Sequence, residues 1–170
     1  KSLESDGKKV NLITIGKKSR DFFVRLMKDK IIESFIDLGS KGAGYDIAHK
    51  ISNNIQSLYF EDKFDVCILI YNQFKSAINQ SVIRQQLIPI DLKNNESENS
   101  KAEISDNDIY IYEPDENEIL KELIPKNISI QIFKVLLESN TGEQGARMVA
   151  MDNATRNAGE MIDNLTLKYN

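Results

Sequence analysis

Met151-Asp-Asn-Ala154-Thr-Arg-Asn-Ala158-Gly-Glu-Met161-Ile-Asp-Asn-Leu165 is the stretch that sets the architecture. Met151, Ala154, Ala158, Met161 and Leu165 step by three, four, three and four residues. That is the narrow a/d seam of a heptad, where a helix lying on a globular core would show a broader apolar face. Two of the seam residues are alanine, which lets two backbones approach closely, and Asp152, Asn153, Arg156, Asn157, Glu160 and Asn164 cover the flanks. The seam has fewer heptads than a coiled coil normally needs for recognition. Spacing alone therefore leaves open a partner helix and docking on the chain's own sheet. The helical pattern runs from Ala146 to Tyr169 with no Gly or Pro after it, so the helix is expected to continue past Asn170.

Toward the N-terminus the chain stays helical as far as Asp115. Ile128 to Glu138 has helical spacing, and Ile119, Leu120, Leu123 and Ile124 form a short amphipathic helix that Pro125 is expected to end or kink. At Asn140 to Gln144 the sequence leaves a break or continuity open. Gly142 and Gly145 each cost about 1 kcal/mol in a helix interior, and Thr141 with Gln144 has capping-box spacing.

Before Asp115 the signals alternate between strand and helix. Val10 to Ile15 is short, β-branched and closed by Gly16, a strand feeding a helix over Lys17 to Lys30 in which Phe22, Phe23, Leu26 and Met27 make the apolar face. Ile31 to Leu38 reads as a second strand, followed by the turn Gly39-Ser-Lys-Gly-Ala-Gly44 and a helix with the stripe Ile47, Ile51, Ile55, Leu58. Phe64-Asp-Val-Cys-Ile-Leu-Ile-Tyr71 is the candidate central strand, with both faces expected to be covered because nothing polar interrupts it after Asp65. A turn at Phe74 to Ala77, a strand at Val82 to Ile90 and a last strand at Ile109 to Tyr112 follow. Residues 93–108 hold only Ala102 and Ile104 as apolar residues and are expected to form a mobile polar loop. The resulting expectation is α/β: a Rossmann-like sheet with helices on both faces over residues 1–114, then a helical segment over 115–170.

Composition narrows the function. A single cysteine, Cys67, and a single histidine, His49, exclude a disulfide framework and the common His/Cys metal cages within these 170 residues. No apolar run approaches the ~18 residues of a membrane span, and the polar start Lys1 to Lys9 has no signal-peptide core. The first 30 residues hold nine Lys/Arg and four Asp/Glu, a local charge of +5 that leaves −9 for the rest. A basic end of this kind suits a solvated helix face or an acidic partner, whereas the overall acidic balance argues against nucleic-acid binding.

The candidate chemical sites are weak. Gly39 to Gly44 fits neither dinucleotide nor P-loop spacing and reads as a turn. Cys67, inside the most apolar run, reads as a buried inert thiol. His49, off the Ile47–Ile51 stripe, reads as exposed. Glu33 and Asp37 read as surface charge, since no pocket is visible to separate their proton affinities. No catalytic residue, cofactor-binding residue or metal ligand is assigned.

The stretch Leu137 to Asn170, with Gly-Ala-Arg-Met-Val-Ala-Met-Asp-Asn-Ala-Thr-Arg-Asn-Ala at 145–158, resembles the C-terminal signature of the gamma subunit of F-type ATP synthases. Ile15 to Phe23, Phe64 to Val66, Tyr71 to Ala77, Leu87 to Ile90 and Tyr112 to Asp115 match in family order. The resemblance implies a central-stalk rotor subunit, itself non-catalytic and without cofactor. Such a subunit couples ion-driven rotation of the membrane c-ring to conformational change in the catalytic alpha/beta hexamer. It also implies a fragment lacking the family's N-terminal helix and C-terminal tip, with the missing N-terminal helix as the seam's partner. Ala146, Arg147, Met148, Ala150, Asn153 and Asn157, together with the seam, match the family's helical motif. Tyr112, Glu113, Pro114 and Asp115 resemble the foot that meets the membrane ring and the small epsilon-type (or delta-type) stalk subunit. The implied location is peripheral, on the inner face of an energy-transducing membrane. Without the resemblance, a Rossmann-like nucleotide- or metabolite-binding module or a coiled-coil scaffold would fit the same pattern.

Overall fold

The computed structural model of the chain describes residues 7–36, 44–90 and 115–169. Strand β1 (Leu12–Ile15) leads through Gly16 into helix α1 (Lys17–Met27), a 3-10 turn (Lys28–Lys30) and strand β2 (Ile31–Phe35). Gly16 sits at φ 94°, a backbone region open to glycine, and its N–H donates to the Phe35 carbonyl at 2.7 Å. This lets the chain leave β1 for the helix while staying tied to β2. The two strands pair in parallel, with Thr14 opposite Ser34. The buried Thr14 Oγ1–H donates to Ser34 Oγ at 2.9 Å, which satisfies a polar pair that would otherwise be costly to bury.

Helix α2 (Tyr45–Phe60) starts at Gly44, whose carbonyl accepts the N–H groups of Ile47 and Ala48. Strands β3 (Cys67–Phe74) and β4 (Gln80–Ile88) form an antiparallel hairpin. Its turn is closed by the Lys75 and Ser76 N–H groups on the Asn79 carbonyl and by the Asn79 N–H on Ser76 Oγ. Helix α3 (Glu116–Tyr169) runs for 54 residues, about 81 Å at 1.5 Å per residue.

The core lies where α2, the hairpin and the first half of α3 meet. Ala48, Ile51 and Ile55 of α2, Leu87 and Ile88 of β4, and Ile128, Ile132 and Leu136 of α3 are buried together. Ile13, Ile15 and Phe35 pack against this cluster from β1 and β2, and Cys67 and Leu69 from β3, so all four strands share one interior with α2 and α3. The α2 stripe is where periodicity placed it.

The α/β class followed by a long C-terminal helix is therefore present, with several differences in detail. Among the described residues the strands form two ladders, β1–β2 and β3–β4, where one sheet was expected. β3 starts three residues later than the apolar run suggested. Phe64 instead packs on the core and lies 5.7 Å from the Tyr59 ring, which holds residues 64–66 outside the ladder. Nor is β3 covered on both faces: Tyr71 is buried but Ile70 is 72% exposed, because the hairpin presents only alternate residues to α3. In α1, Phe23 and Met27 are half-buried while Phe22 and Leu26 face solvent, so the apolar stripe is split between sheet and surface.

Pro125 does not end its helix; α3 runs through it. Its missing N–H costs a helical bond, and burial of Ile128 and Ile132 in the next turns offsets that loss. Asn140 to Gln144 is helical too. Several regions read from sequence lie outside the described residues: the turn glycines 39 and 42, Asp37, the polar stretch 93–108, the strand at 109–112, and Tyr112, Glu113 and Pro114.

Candidate functional site

Helix α3 has two halves with opposite surroundings. From Ile128 to Leu136 it is part of the core. Beyond Val149 every residue through Tyr169 is exposed, a length of about 30 Å. The predicted seam lies on this half: Met151, Ala154, Ala158, Met161 and Leu165 are all exposed, Met161 at 64% and Leu165 at 59%. An isolated helix exposed on all sides gains little from propensity alone, because helices in proteins draw most of their stability from burying one face.

The other motif residues share this half. Ala146, Arg147, Met148, Ala150, Asn153 and Asn157 are exposed. Arg147 donates from its guanidinium to Glu143 at 2.8 Å and to Gln144 at 2.9 Å, and Arg156 donates to Asn153 Oδ1 at 2.8 Å. These bonds run along one helix and hold side chains off the seam, each contributing a few tenths of a kcal/mol. Of the predicted foot only Asp115 is described. It is exposed, and its carbonyl accepts the Ile119 N–H at 3.1 Å as the helix begins.

Two features escaped the sequence reading. The first is an open groove of about 320 Å³ beside the hairpin, lined among others by Phe74, Ile130, Phe133, Leu137 and Glu138. Ile130 and Leu137 fall in the heptad phase of Met151 and Phe133 in that of Ala154, so counting back by sevens from the seam would have found them. Glu138 Oε2 is buried there without a hydrogen-bond partner among the described residues, while Oε1 lies 3.9 Å from Lys134 Nζ. The second feature is the contact of the hairpin turn with Gly142 and Gly145.

Among the described residues, the remaining titratable groups with resolved contacts serve packing and helix ties. Burial pushes the Cys67 thiol up to about 11, away from the thiolate that nucleophilic chemistry requires. Tyr71 is raised as well, by burial and then by the charge of Glu138, and its hydroxyl donates to Gln85 Oε1 at 3.2 Å. His49 is exposed at the α2–α3 boundary, stacked on Tyr45, with Nε2 3.3 Å from Asn53 Nδ2 and Nδ1 3.5 Å from Ser129 Oγ. Those partners tie two helices together. No helix among the described residues is long and apolar enough to cross a membrane.

The described residues thus form an α/β body continued by a long helix whose second half, seam included, is exposed. The chain belongs to the ATP synthase family, which it matches over residues 1–170. It is 48% identical to the ATP synthase gamma chain of Rhodospirillum rubrum and 48% identical to that of Pelagibacter ubique. These alignments cover 100% and 99% of this chain but 58% and 56% of the relatives, so the chain spans little more than half their length. Two solved assemblies contain chains of the same fold. One is the central stalk and c-ring of the Tetrahymena thermophila mitochondrial ATP synthase, at TM-score 0.62 and 22% identity, covering 85% of this chain and 60% of that one. The other is the rotor of the Euglena gracilis mitochondrial ATP synthase, at TM-score 0.62 and 16% identity, covering 94% and 60%.

Proposed function

We propose that the chain forms the body and one shaft strand of the central rotor of a proton-translocating F-type ATP synthase. Rotation of the membrane c-ring would turn the body, and the projecting helix would carry that rotation into the alpha/beta hexamer. On this reading the chain is non-catalytic: bond making and breaking belong to its neighbours, and these residues transmit torque. The division expected at residue 114 shifts along α3: residues 1–114 together with the core-packed first half of α3 serve as the body, and the exposed part of α3 beyond Val149 serves as the shaft segment. Tyr112 to Asp115 form the foot toward the c-ring and the epsilon-type subunit, and the protein sits peripherally on the inner face of its membrane.

The observation that carries this reading is the bare seam from Met151 to Leu165, in phase with the groove residues Ile130, Phe133 and Leu137. A second helix laid along this track would cover Met151, Met161 and Leu165 and could bring a donor to Glu138 Oε2. Alanine at 154 and 158 would let it approach closely. The family's own N-terminal helix, antiparallel to α3, is the occupant the reading requires.

The test is reconstitution. The chain joined to the N-terminal helix of the Rhodospirillum rubrum gamma chain is mixed with that organism's alpha and beta subunits. Co-elution as one complex with ATP hydrolysis above that of alpha and beta alone is expected. Failure to enter the complex would overturn the proposal.

A further inference from the structure

Helix α3 passes from embedded to bare within about two turns, and the hairpin turn sits against it at that place. Gly142 is buried, whereas every residue from Ala150 through Tyr169 is exposed. Gln80 Nε2 donates to the Gly142 carbonyl at 2.6 Å. A Cβ at Gly142 would lie 2.9 Å from Gln80 Oε1, and one at Gly145 would lie 3.2 Å from Phe74 Cε2 and 3.3 Å from Ala77 Cα. Three residues apart, the two glycines share one side of the helix, and the hairpin turn lies on that side. Gly159, further along the same helix, has nothing within 4 Å of its missing side chain. Each glycine costs the helix about 1 kcal/mol relative to alanine. At 142 and 145 the close approach of the hairpin explains that cost, and at 159 nothing in the structure does.

We propose that the hairpin turn Phe74–Gln80 is a clamp that fixes the direction in which α3 leaves the body, with Gly142 and Gly145 as its seats. Three ties of different kinds hold the joint: a side-chain to backbone hydrogen bond, an aromatic edge on bare helix backbone, and backbone against backbone at Ala77. Together they restrain the helix just before it loses its other neighbours among the described residues. Without them its last fixed point would be the core around Leu136, roughly two turns earlier. If the rotor reading holds, twisting load passes between body and shaft here.

The test uses the chain itself, with Cys67→Ser and nitroxide labels at the exposed positions Lys50→Cys on α2 and Asp152→Cys on α3, read by pulsed electron double resonance. One narrow distance distribution is expected. Gly145→Val, which drives a branched side chain into Phe74 and Ala77, is expected to give a second, broader population. Gly159→Val carries the same propensity loss into open space and should leave the distribution unchanged. Amide-exchange protection at Ile51, Leu87 and Ile132 reports whether the core stays folded. Should Gly145→Val lose that protection, Gln80→Ala, which removes the hydrogen bond and the side chain lying on Gly142 without adding volume, decides the matter by the same broadening. An unchanged distribution in the deciding variant, or equal broadening from Gly159→Val, would overturn the clamp. The measurement needs no partner subunit, so loss of the clamp and loss of the rotor role give different results.

Discussion

At the scale of single residues, the clearest consequence concerns Cys67. Burial raises its thiol from an ordinary value of 9.0 to about 11, so folding favours the protonated form. The native state therefore binds more protons than the unfolded chain between those two values. Stability is whole below pH 9 and falls as pH rises toward 11, by at most ~1.4 kcal/mol per pH unit. Tyr71, raised by burial and by Glu138, pulls in the same direction, so Cys67→Ser should reduce the alkaline loss without abolishing it. Urea melts of both proteins across pH 8 to 11 check this, and identical pH profiles would contradict it. Reactivity gives a second reading of the same shift. At pH 8 the folded thiol should react with iodoacetamide roughly 100-fold more slowly than the same thiol in urea, because the thiolate is the nucleophile. The apolar run reads Cys67 as a buried, inert thiol; in the structure it is half-buried, packed against the core cluster. The sequence did not reveal that the exposed His49 also meets Ser129 across two helices, since that contact spans 80 positions.

At the scale of elements, the long helix carries the argument. Replacing Ala154 and Ala158 by Glu places carboxylates on the seam without touching the core. A synthetic peptide carrying the N-terminal helix of the Rhodospirillum rubrum gamma chain should then lose at least about tenfold in affinity. The stability of the body should stay within ~0.5 kcal/mol, since both sites are exposed. Isothermal titration and thermal melts separate the two effects, and unchanged peptide affinity would contradict a pairing role for the seam. The helix was legible in its 3.6-residue period and the seam in its heptad steps, because exposed and buried halves alike obey local spacing. Its continuity was not legible. Pro125 and the pair Gly142 and Gly145 act as breakers locally, and only neighbours distant in sequence, the core residues Ile51 of α2 and Leu87 of β4 clustered with Ile128 and Ile132 and the hairpin at Phe74 and Ala77, override them. β3 shows the same limit. An unbroken apolar run states that a strand is apolar, yet it cannot tell whether Ile70 meets a second layer or water.

At the scale of the whole molecule, burial is lopsided. One core gathers α2, β4 and the first half of α3, while the second half of α3 stands free. A bare seam is a poor arrangement for a chain acting alone and a fitting one for a part completed by another helix. The charge imbalance read from sequence was real but did not point to the site: the basic first 30 residues contribute α1 to the surface, and the seam lies at the opposite end of the chain. The family signature coincides with the half of α3 that has no role in the core, which is why it was readable as function when most of the sheet detail was not. The most direct measurement is rotation itself. A bead is attached at the exposed Lys63→Cys of the chain joined to the family's N-terminal helix, and the assembled alpha/beta complex is fixed to glass. Unidirectional turning of the bead on addition of ATP is the predicted result; a complex that hydrolyses ATP while the bead stays still would contradict the account.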